Sequence, residues 1–453
     1  MQTIILAGGE GKRVFPLAVN RPKPMFKLLG KPLIHHVIDT LKGAGLKDYV
    51  VVVGHSGDQI KDYLKDGSKL GVNIEYTVQK HSLGMSDALK TTENLAEDNF
   101  FVVNADDVFE ASLIKQMLRQ FKKGEAEIVL SYKPVKETWK FGIIRIDNEH
   151  VTDFVEKPPI GMEPSNLAVV GVYILTKQIF EYYKKIPVSD HQYEDAILQF
   201  IKDENVVEAV NYDGFFGGYK YPWDIFTINK YLMDKIITKQ TIKDCMKISE
   251  RATVEGNVWI EEGAKVYEGA IIRGPSYIGK NSVIGNNCLV RDYASLGSNC
   301  VVGFSTEIKH SLIGDDCWFH MNYIGDSIIS NNCLFGAGAK TANYRFDETN
   351  IKVRIGNKRM DSHTNKLGAI IGDNCKIGIN VCLEPGVKIG PQSMVGPSVD
   401  LQDDLEPEKI IIVNKNSYLK KVNKIIISPE SKQQLMKKLI RTTYRKTSDK
   451  SKI

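Results

Sequence analysis

The sequence lacks any apolar run near the ~18 residues that a membrane-spanning helix needs, and it has little excess charge of either sign. Lys and Arg total 60 and Asp and Glu total 55, a net charge of +5, whereas nucleic-acid binders usually show a concentrated basic excess. The first residues include neither the basic start nor the long apolar segment of a secretory signal. We therefore expect a cytoplasmic protein without membrane or nucleic-acid partners.

Cysteine is also scarce: seven cysteines, an odd number without a CxxC pair, are scattered over 453 residues. This pattern predicts reduced thiols rather than a disulfide framework. A chain of this length suggests two or three domains and can bury a large core without cross-links.

Up to about residue 236, short apolar runs alternate with helical patterns. This alternation predicts a doubly wound α/β domain over residues 1–236, whose ligands bind beyond the carboxyl ends of the strands. The loops after Leu6 and Val103 are thus the places where a site is expected. The predicted strands are 3–6, 49–53 and 100–103, and the predicted helices lie near 33–43, 57–65 and 84–95.

From residue 248 onwards, large aliphatic residues recur at every sixth position. Hexapeptide repeats are typical of a parallel β-helix in which three repeats form one 18-residue coil. The first series comprises Ile248, Val254, Ile260, Val266, Ile272, Ile278, Ile284, Val290, Leu296, Val302 and Ile308, and the period resumes at Ile371, Ile377, Leu383, Ile389 and Val395. Because the two halves differ in period, we expect separate cores and an N-terminal half that is active alone.

These periods set the predicted domain boundaries. A linker at 237–247 joins the α/β domain to a β-helix at 248–400, which a loop excursion near 344–369 interrupts. The extension 401–453 is predicted to hold two strands in 408–428, a helix at 430–445 and a basic tail. Five cysteines lie four places after a repeat aliphatic, so we interpret them as buried packing residues rather than metal ligands. They are Cys288, Cys300, Cys317, Cys333 and Cys375.

The first strand leads into a glycine-rich loop, Leu6-Ala7-Gly8-Gly9-Glu10-Gly11-Lys12-Arg13, and Pro22-Lys23-Pro24 follows. Backbone N–H groups of such a loop can close on phosphates. The loop matches neither the dinucleotide GxGxxG motif nor the P-loop. Arg13 and Lys23 add cations that could stabilise the charge developing during phosphoryl transfer.

Over about residues 1–235 the chain resembles the sugar-1-phosphate nucleotidylyltransferases, whose signature is the same glycine loop followed by Pro-Lys-Pro. The resemblance implies a nucleotide site, a Mg²⁺ site at Asp106 and Asp224, with Asp107 as the less favoured alternative, and catalytic roles for Arg13 and Lys23. Two positions depart from the family pattern: Lys12 stands where Thr or Ser is usual, and Met85 replaces the usual Thr. The implied nucleotide-binding residues are Leu6, Ala7, Gly8, Gly9, Gln79, Gly84 and Asp106, and the implied sugar-phosphate residues are Gly142, Glu156, Lys157 and Asn166.

The implied chemistry suits these residue types. A phosphate oxygen of the sugar-1-phosphate attacks the α-phosphorus of a nucleoside triphosphate, and pyrophosphate leaves. The nucleophile is already ionised, so positioning and charge neutralisation do the work. Mg²⁺ takes one or two carboxylates together with phosphate oxygens, which two aspartates can supply.

In the second half, Arg291 and Lys309 are 18 residues apart, so they should project from one face of neighbouring coils, where paired cations suit a phosphate. The period breaks at 320–323 and at 343–344. The excursion that follows is rich in Lys and Arg, and a protruding basic loop on a rigid prism could clamp a ligand.

These features resemble the acetyltransferase half of the bifunctional N-acetylglucosamine-1-phosphate uridylyltransferases/glucosamine-1-phosphate acetyltransferases, in a layout closest to the archaeal members. The resemblance implies acetyl-CoA as co-substrate, His320 as general base, and a homotrimer or a multiple of one. The implied sugar-phosphate residues are Arg291, Lys309, Tyr323, Asn343 and Tyr344. Leu334 departs from the usual Asn, and the stretch from Lys309 to His320 is one residue shorter. We interpret His35, His36, His310 and His363 as structural or surface residues.

Three functions remain open from the sequence. The first is a bifunctional enzyme that makes UDP-N-acetylglucosamine or a related nucleotide sugar, with uridylyl or thymidylyl transfer to N-acetylglucosamine-1-phosphate or glucose-1-phosphate. The second is a nucleotidylyltransferase with a purely structural, trimerising β-helix. The third is a non-catalytic regulatory subunit, for which the glycine loop, Lys23 or the metal aspartates should be eroded, whereas all are present.

Overall fold

The computed structural model describes residues 1–414 except His55, Ser82, Asp190, Cys245 and Met246. Met1–Ile412 form one compact unit. The predicted helix at 430–445, the basic tail and most of the predicted strands of 408–428 lie outside the described residues. Within the described ranges, no helix is long and apolar enough to cross a membrane.

The N-terminal domain is the predicted α/β domain, with a mixed sheet whose two faces are each covered by a separate apolar cluster. The predicted strands and the first two predicted helices are confirmed, and the third helix is shorter than expected. In spatial order the strands are Asn73–Val78, Asp48–Val53, Gln2–Ala7, Asn99–Asn104, Leu167–Thr176, Ile128–Pro134, Val207–Asn211, His150–Glu156 and Gly142–Asp147. The helices are α1 (Leu33–Gly43), α2 (Asp58–Leu64), α3 (Met85–Lys90), α4 (Ala111–Phe121), α5 (Ile179–Lys185), α6 (Gln192–Lys202) and α7 (Asp224–Ile236).

The C-terminal half is the predicted β-helix, with three parallel sheets forming the faces of a prism. The docked face consists of Thr241–Ile242, Val258–Ile260, Ser276–Ile278, Ser295–Leu296, Leu312–Ile313, Ile328–Ile329, Ile370–Ile371 and Lys388–Ile389. The open face consists of Lys247–Ile248, Lys265–Val266, Val283–Ile284, Val301–Val302, Trp318–Phe319, Leu334–Phe335, Lys376–Ile377, Met394–Val395 and Ile410–Ile411. The cation face consists of Thr253–Glu255, Ile271–Arg273, Leu289–Arg291, Glu307–Lys309, Tyr323–Gly325, Lys340–Thr341, Cys382–Leu383 and Asp400–Leu401.

The repeat aliphatics and the five predicted cysteines are buried inside the prism, where the side chains of successive coils stack. The first coil begins within the predicted linker, because Thr241–Ile242 already pair with the strand Val258–Ile260. The coils in this region are one or two residues short of 18, since Val301 pairs with Trp318 and Glu307 pairs with Tyr323. That shortening places one residue fewer between Lys309 and His320.

Each half has its own apolar core, as expected, but the two halves are not independent of each other. A further apolar cluster joins the docked face to the N-terminal domain. Outward-facing residues of the docked face, Tyr277, Leu312, Ile328 and Ile370, are at most 5% exposed. From the N-terminal domain the cluster takes Val14, Leu17, Phe26, Leu28, Leu29, Leu33, Val108, Tyr219, Trp223, Ile225, Ile228, Leu232, Met233 and Ile237.

The excursion is not the protruding loop that the sequence suggested. Its strands Lys352–Ile355 and Lys358–Asp361 form a hairpin, and Ile351 and Val353 are buried in the shared cluster. The Lys388 ammonium donates to the carbonyl oxygen of Arg354 and lies 5.2 Å from the centre of the Phe15 ring. The hairpin thus packs beside the docked face.

Candidate active sites

The glycine loop packs closely against its neighbours at Gly8 and Gly11, whereas Gly9 is open. A Cβ atom on Gly8 would lie 2.4 Å from Oε1 of Gln79, and one on Gly54 would lie 2.5 Å from the carbonyl oxygen of Gly8. Gly11 has φ +70°, in the left-handed region that favours glycine. A cleft of ≈ 300 Å³ lies beside this loop, lined by Gly9, Glu10, Gly11, Lys12, Arg13, Val14, Lys23 and Lys220.

The sheet brings the two predicted site loops together, because Leu6 and Asn104 are partners on neighbouring parallel strands. The Lys23 ammonium forms an ion pair with the carboxylate of Asp106, and both side chains are largely buried. The same ammonium donates to the carbonyl oxygen of Tyr219, at 2.8 Å. Lys23 is therefore fixed at the inner end of the cleft.

Asp224 is the first residue of α7, and one of its carboxylate oxygens accepts backbone N–H bonds from Lys220 and Tyr221, at 2.9 and 2.7 Å. Burial raises its pKa, and those bonds together with the charges of Lys220 and Lys23 oppose the rise. Lys23 thus pairs with Asp106, and its charge also acts on Asp224.

The alternative carboxylate, Asp107, has a different hydrogen-bond partner. Its oxygen accepts a 2.8 Å hydrogen bond from the Asn104 amide, and burial followed by the charge of Asp106 raises its pKa to about 7. No group of three or more His, Cys, Asp or Glu in the described part of the chain could hold a metal ion. Two carboxylates still fit Mg²⁺, because this ion takes its remaining ligands from phosphates and water.

Lys220 is a cleft residue that the sequence analysis missed. It lines the cleft with Lys23, and its charge acts on both Asp107 and Asp224. The available signal was a cation just ahead of the Trp-Asp pair, which on its own resembles a solvated surface lysine.

The predicted base-binding segment is built around Gln79, which is 5% exposed. Its amide donates to the carbonyl oxygen of Gly84 at 3.2 Å and to the carboxylate of Asp87 at 2.8 Å. Gly84 has φ +104° and immediately precedes α3. This arrangement closes the segment over Gly8.

The predicted sugar pocket centres on Gly142 and Glu156, which are partners on antiparallel strands. A Cβ on Gly142 would lie 2.6 Å from Cε2 of Phe154 and 2.8 Å from Oε2 of Glu156, so glycine leaves room for both side chains. Glu156 also pairs with Lys157 at 2.6 Å. Asn166 precedes the strand Leu167–Thr176, and its carbonyl accepts the N–H of Val135.

Glu194 on α6 is a second residue that the sequence analysis missed. Burial, followed by the charge of Glu156, raises its pKa to about 7. The charge of Glu156 and the burial of Glu194 thus both favour the protonated form of Glu194.

On the cation face, Arg291 and Lys309 are partners in neighbouring coils, as the 18-residue spacing predicted. Each is paired with a carboxylate: Arg291 lies 2.7 Å from Glu307, and Lys309 lies 2.8 Å from Asp326. The 18-residue spacing predicts the two cations but not their carboxylate partners, because acidic residues at strand ends are common in the repeats.

Asn343 and Tyr323 join the same group. The Asn343 amide donates to Asp326 and, at 3.3 Å, to the hydroxyl of Tyr323. Tyr344 is 42% exposed and bridges to Lys366 at the base of the excursion. Four of the five predicted sugar-phosphate residues of the β-helix therefore lie on adjoining coils.

His320 lies in the turn after Trp318–Phe319, between the open face and the cation face. Its backbone N–H donates to Oδ1 of Asn322 at 2.5 Å, and its ring packs against Gly303, where an added Cβ would lie 3.2 Å from Nδ1. The side chain is exposed. The predicted general base is thus accessible but without a carboxylate partner in the described residues.

Comparisons with known proteins agree with this division. Residues 2–247 match the nucleotidyl transferase family, residues 275–303 match the hexapeptide repeat of succinyl-transferase, and residues 368–399 match the bacterial transferase hexapeptide of six repeats. The chain is 39% identical to the bifunctional protein GlmU of Methanocaldococcus jannaschii, over 91% of this chain and 97% of that protein. It is 40% identical to the bifunctional protein GlmU of Methanococcus maripaludis strain C7, over 94% and 99%.

A third relative is the bifunctional sugar-1-phosphate nucleotidylyltransferase/acetyltransferase of Sulfurisphaera tokodaii, at 33% identity over 89% of this chain and 98% of that protein. These relatives span both halves of the chain. The chain belongs to the family of bifunctional GlmU-type enzymes of nucleotide-sugar biosynthesis, in which a nucleotidylyltransferase domain precedes a hexapeptide-repeat acetyltransferase domain.

Proposed function

We propose that the chain transfers the acetyl group of acetyl-CoA to glucosamine-1-phosphate and then a uridylyl group from UTP to the N-acetylglucosamine-1-phosphate formed. The main observation in favour of this two-step activity is that one compact unit contains two separate clusters of cations and carboxylates. The products would be UDP-N-acetylglucosamine and pyrophosphate. The proposal extends to Mg²⁺ dependence and to the site residues named above.

In the N-terminal site, the backbone N–H groups of Gly8 and Gly9 and the guanidinium of Arg13 would bind the triphosphate. Glu156 and Lys157 would orient the sugar-1-phosphate so that its phosphate oxygen faces the α-phosphorus. Lys23 would neutralise the charge that develops as pyrophosphate leaves. Asp106 and Asp224 would hold Mg²⁺, whose chemistry when bound is to polarise phosphate oxygens.

In the β-helix site, Arg291 and Lys309 would hold the sugar phosphate and place its amine near His320. The imidazole would accept a proton from the amine as the nitrogen attacks the thioester carbonyl carbon. The C–S bond then breaks, and the coenzyme A thiolate leaves and is protonated.

A homotrimer is part of the proposal. On the open face, the apolar side chains of Val301, Trp318 and Leu334 point outward in a row, and after Lys376 the row continues with Met394 and Ile410. Trp318 is 49% and Ile410 66% exposed. An exposed apolar row of this length is typical of an association surface. Since Trp318 is two residues from His320, a neighbouring copy would complete the acetylation site.

A substrate panel tests the proposal. UTP, dTTP, GTP, CTP and ATP would each be assayed with glucose-1-phosphate and N-acetylglucosamine-1-phosphate, and acetyl transfer to glucosamine-1-phosphate would be followed by released thiol. We expect UTP with N-acetylglucosamine-1-phosphate to react best. Thiol release that does not exceed background would instead favour a nucleotidylyltransferase with a structural β-helix. Sedimentation as a monomer at micromolar concentration would contradict the trimer.

A further inference from the structure

A carboxylate in the β-helix, Asp326, has a role that the spacing of the cations did not reveal. Its side chain is only 4% exposed, and it follows directly after the cation-face strand Tyr323–Gly325. One oxygen accepts from the Lys309 ammonium at 2.8 Å and from the Asn343 amide. Both donors are predicted sugar-phosphate residues. Asp326 is therefore the shared acceptor of two groups on the coils before and after its own.

The other oxygen of Asp326 is bound by His310. Nδ1 of His310 lies 2.7 Å from Oδ1 of the carboxylate. An ionised carboxylate only accepts, so Nδ1 carries the proton and donates. Burial raises the pKa of Asp326, but the hydrogen bonds from His310, Lys309 and Asn343 outweigh it and lower the pKa below its usual value. The carboxylate is thus charged, and both of its oxygens accept hydrogen bonds.

His310 is in turn held by the N-terminal domain. Its ring stacks on Phe226 of α7, with 4.8 Å between ring centres and 23° between planes. The first residue of α7 is Asp224, the proposed metal ligand. The first turn of this helix therefore carries both a proposed metal ligand of the nucleotidylyltransferase site and the residue that contacts His310 of the β-helix.

We infer that Asp326 and His310 are positioning residues for sugar-phosphate binding in the β-helix, and that Phe226 of the N-terminal domain takes part through His310. This inference rests on the proposed acetyl transfer to a sugar phosphate. Lysine has a flexible four-carbon stem, and ordering it on binding weakens affinity. Asp326 holds the Lys309 ammonium in place beforehand. Because that ammonium has three N–H donors, it can keep Asp326 and still donate to a phosphate oxygen.

The test measures binding of glucosamine-1-phosphate to the full chain by calorimetry, together with steady-state acetyl transfer. His310→Ala removes the donor to Asp326, and we expect roughly ten-fold weaker binding and a matching rise in KM. Phe226→Ala should weaken binding roughly three-fold through loss of the stack. His310→Asn retains a donor near the Nδ1 position and should bind like the wild type. His363→Ala, an exposed histidine on the excursion, is the matched control.

At saturating sugar phosphate, kcat of His310→Ala and its pH profile should match the wild type, and circular dichroism and the nucleotidylyltransferase rate should be unchanged. Unaltered binding by His310→Ala would overturn the inference. Loss of the acidic limb of the kcat–pH profile would also overturn it, because His310 would then be the general base. If the variants weaken binding as expected but the wild type transfers no acetyl group, the proposed function alone is overturned. If the wild type does not bind glucosamine-1-phosphate, the proposed function and this inference are both overturned.

Discussion

Arg21 of the N-terminal domain and Asp373 of the β-helix form an ion pair in which each side chain is only 11% exposed. Asp373 also accepts from the backbone N–H of Asn331 at 2.9 Å and from the Asn20 amide at 3.4 Å. Since Arg21 stands two residues before Lys23, the β-helix holds the chain segment that carries a proposed catalytic lysine.

Replacing Arg21 by Ala should lower both stability and nucleotidyl transfer. Asp373 would be left as a largely buried, unpaired carboxylate, and breaking such a pair costs about 3 kcal/mol. Denaturant unfolding and the nucleotidyl-transfer kcat would measure the two effects. Arg273→Ala breaks the exposed pair with Glu255, in which both side chains are 55% exposed, and it should change little. The Arg21→Ala/Asp373→Ala double variant should lose less than the sum of its parts, and strict additivity would argue against coupling.

Asp106→Asn should lower the nucleotidyl-transfer kcat by about 10²–10³ without unfolding the protein, because the lost charge acts mainly in the transition state. The assay is pyrophosphate release at saturating substrates and Mg²⁺. Asp98→Asn serves as the control. Asp98 is exposed and precedes the strand Asn99–Asn104, whereas Asp106 follows that strand. A near wild-type rate for Asp106→Asn would transfer the assignment to Asp107.

His320→Ala should abolish acetyl transfer selectively. Removing a general base typically costs about 10²–10⁴ in rate. The nucleotidylyltransferase rate should persist, because none of its proposed residues is near His320 in the chain. Loss of both activities together with an altered circular dichroism spectrum would identify His320 as a structural residue instead.

The isolated fragment 1–236 should melt at a lower temperature than the full chain. Without the docked face, apolar residues of the shared cluster such as Phe26, Leu28 and Trp223 are uncovered. Each large side chain that loses full burial costs about 1.5–3 kcal/mol. Thermal unfolding of the fragment beside the full-length protein measures this, and equal melting temperatures would restore the expectation of independent halves.

Acidification should destabilise the protein through His36. This side chain is 4% exposed, its Nε2–H donates to the carbonyl of Leu28 at 3.0 Å, and burial lowers its pKa from 6.5 to about 4. Below pH 6.5 the unfolded chain binds a proton that the folded chain excludes, so stability falls with pH until about pH 4. At pH 5 the loss from this group is about 2 kcal/mol.

Denaturant unfolding at pH 7 and pH 5 measures that loss against a His36→Asn variant, in which it should be missing. The carboxyls of Asp107 and Glu194, whose pKa values are raised, contribute equally to both proteins and cancel in the comparison. His150→Asn, at an exposed position, should behave like the wild type. An identical pH dependence in the His36→Asn variant would contradict the prediction.

The β-helix and the register of Arg291 with Lys309 could be predicted because a six-residue period leaves one stacking arrangement. The covering of the docked face by the N-terminal domain could not be predicted. Tyr277 and Leu312 point outward, and residues of these types also occur at ordinary exposed positions of strands. The role of Asp326 could not be predicted either. Asp is common in left-handed turns, and Asp326 has φ +47°, so its presence in the sequence indicates a turn and not a buried hydrogen-bond acceptor. Long-range packing and buried polar partners are set by tertiary contacts that a local pattern does not contain.

The docked face also restricts how copies of the prism can join. Within the part of the chain that the structure describes, a three-sided prism with one side covered by its own N-terminal domain leaves the open face and the cation face for contacts with neighbours. A ring built from three such prisms must then use contacts between two different surfaces, the heterologous kind that closes by rotation. The nucleotidylyltransferase domains would be directed to the periphery of that ring, away from its axis.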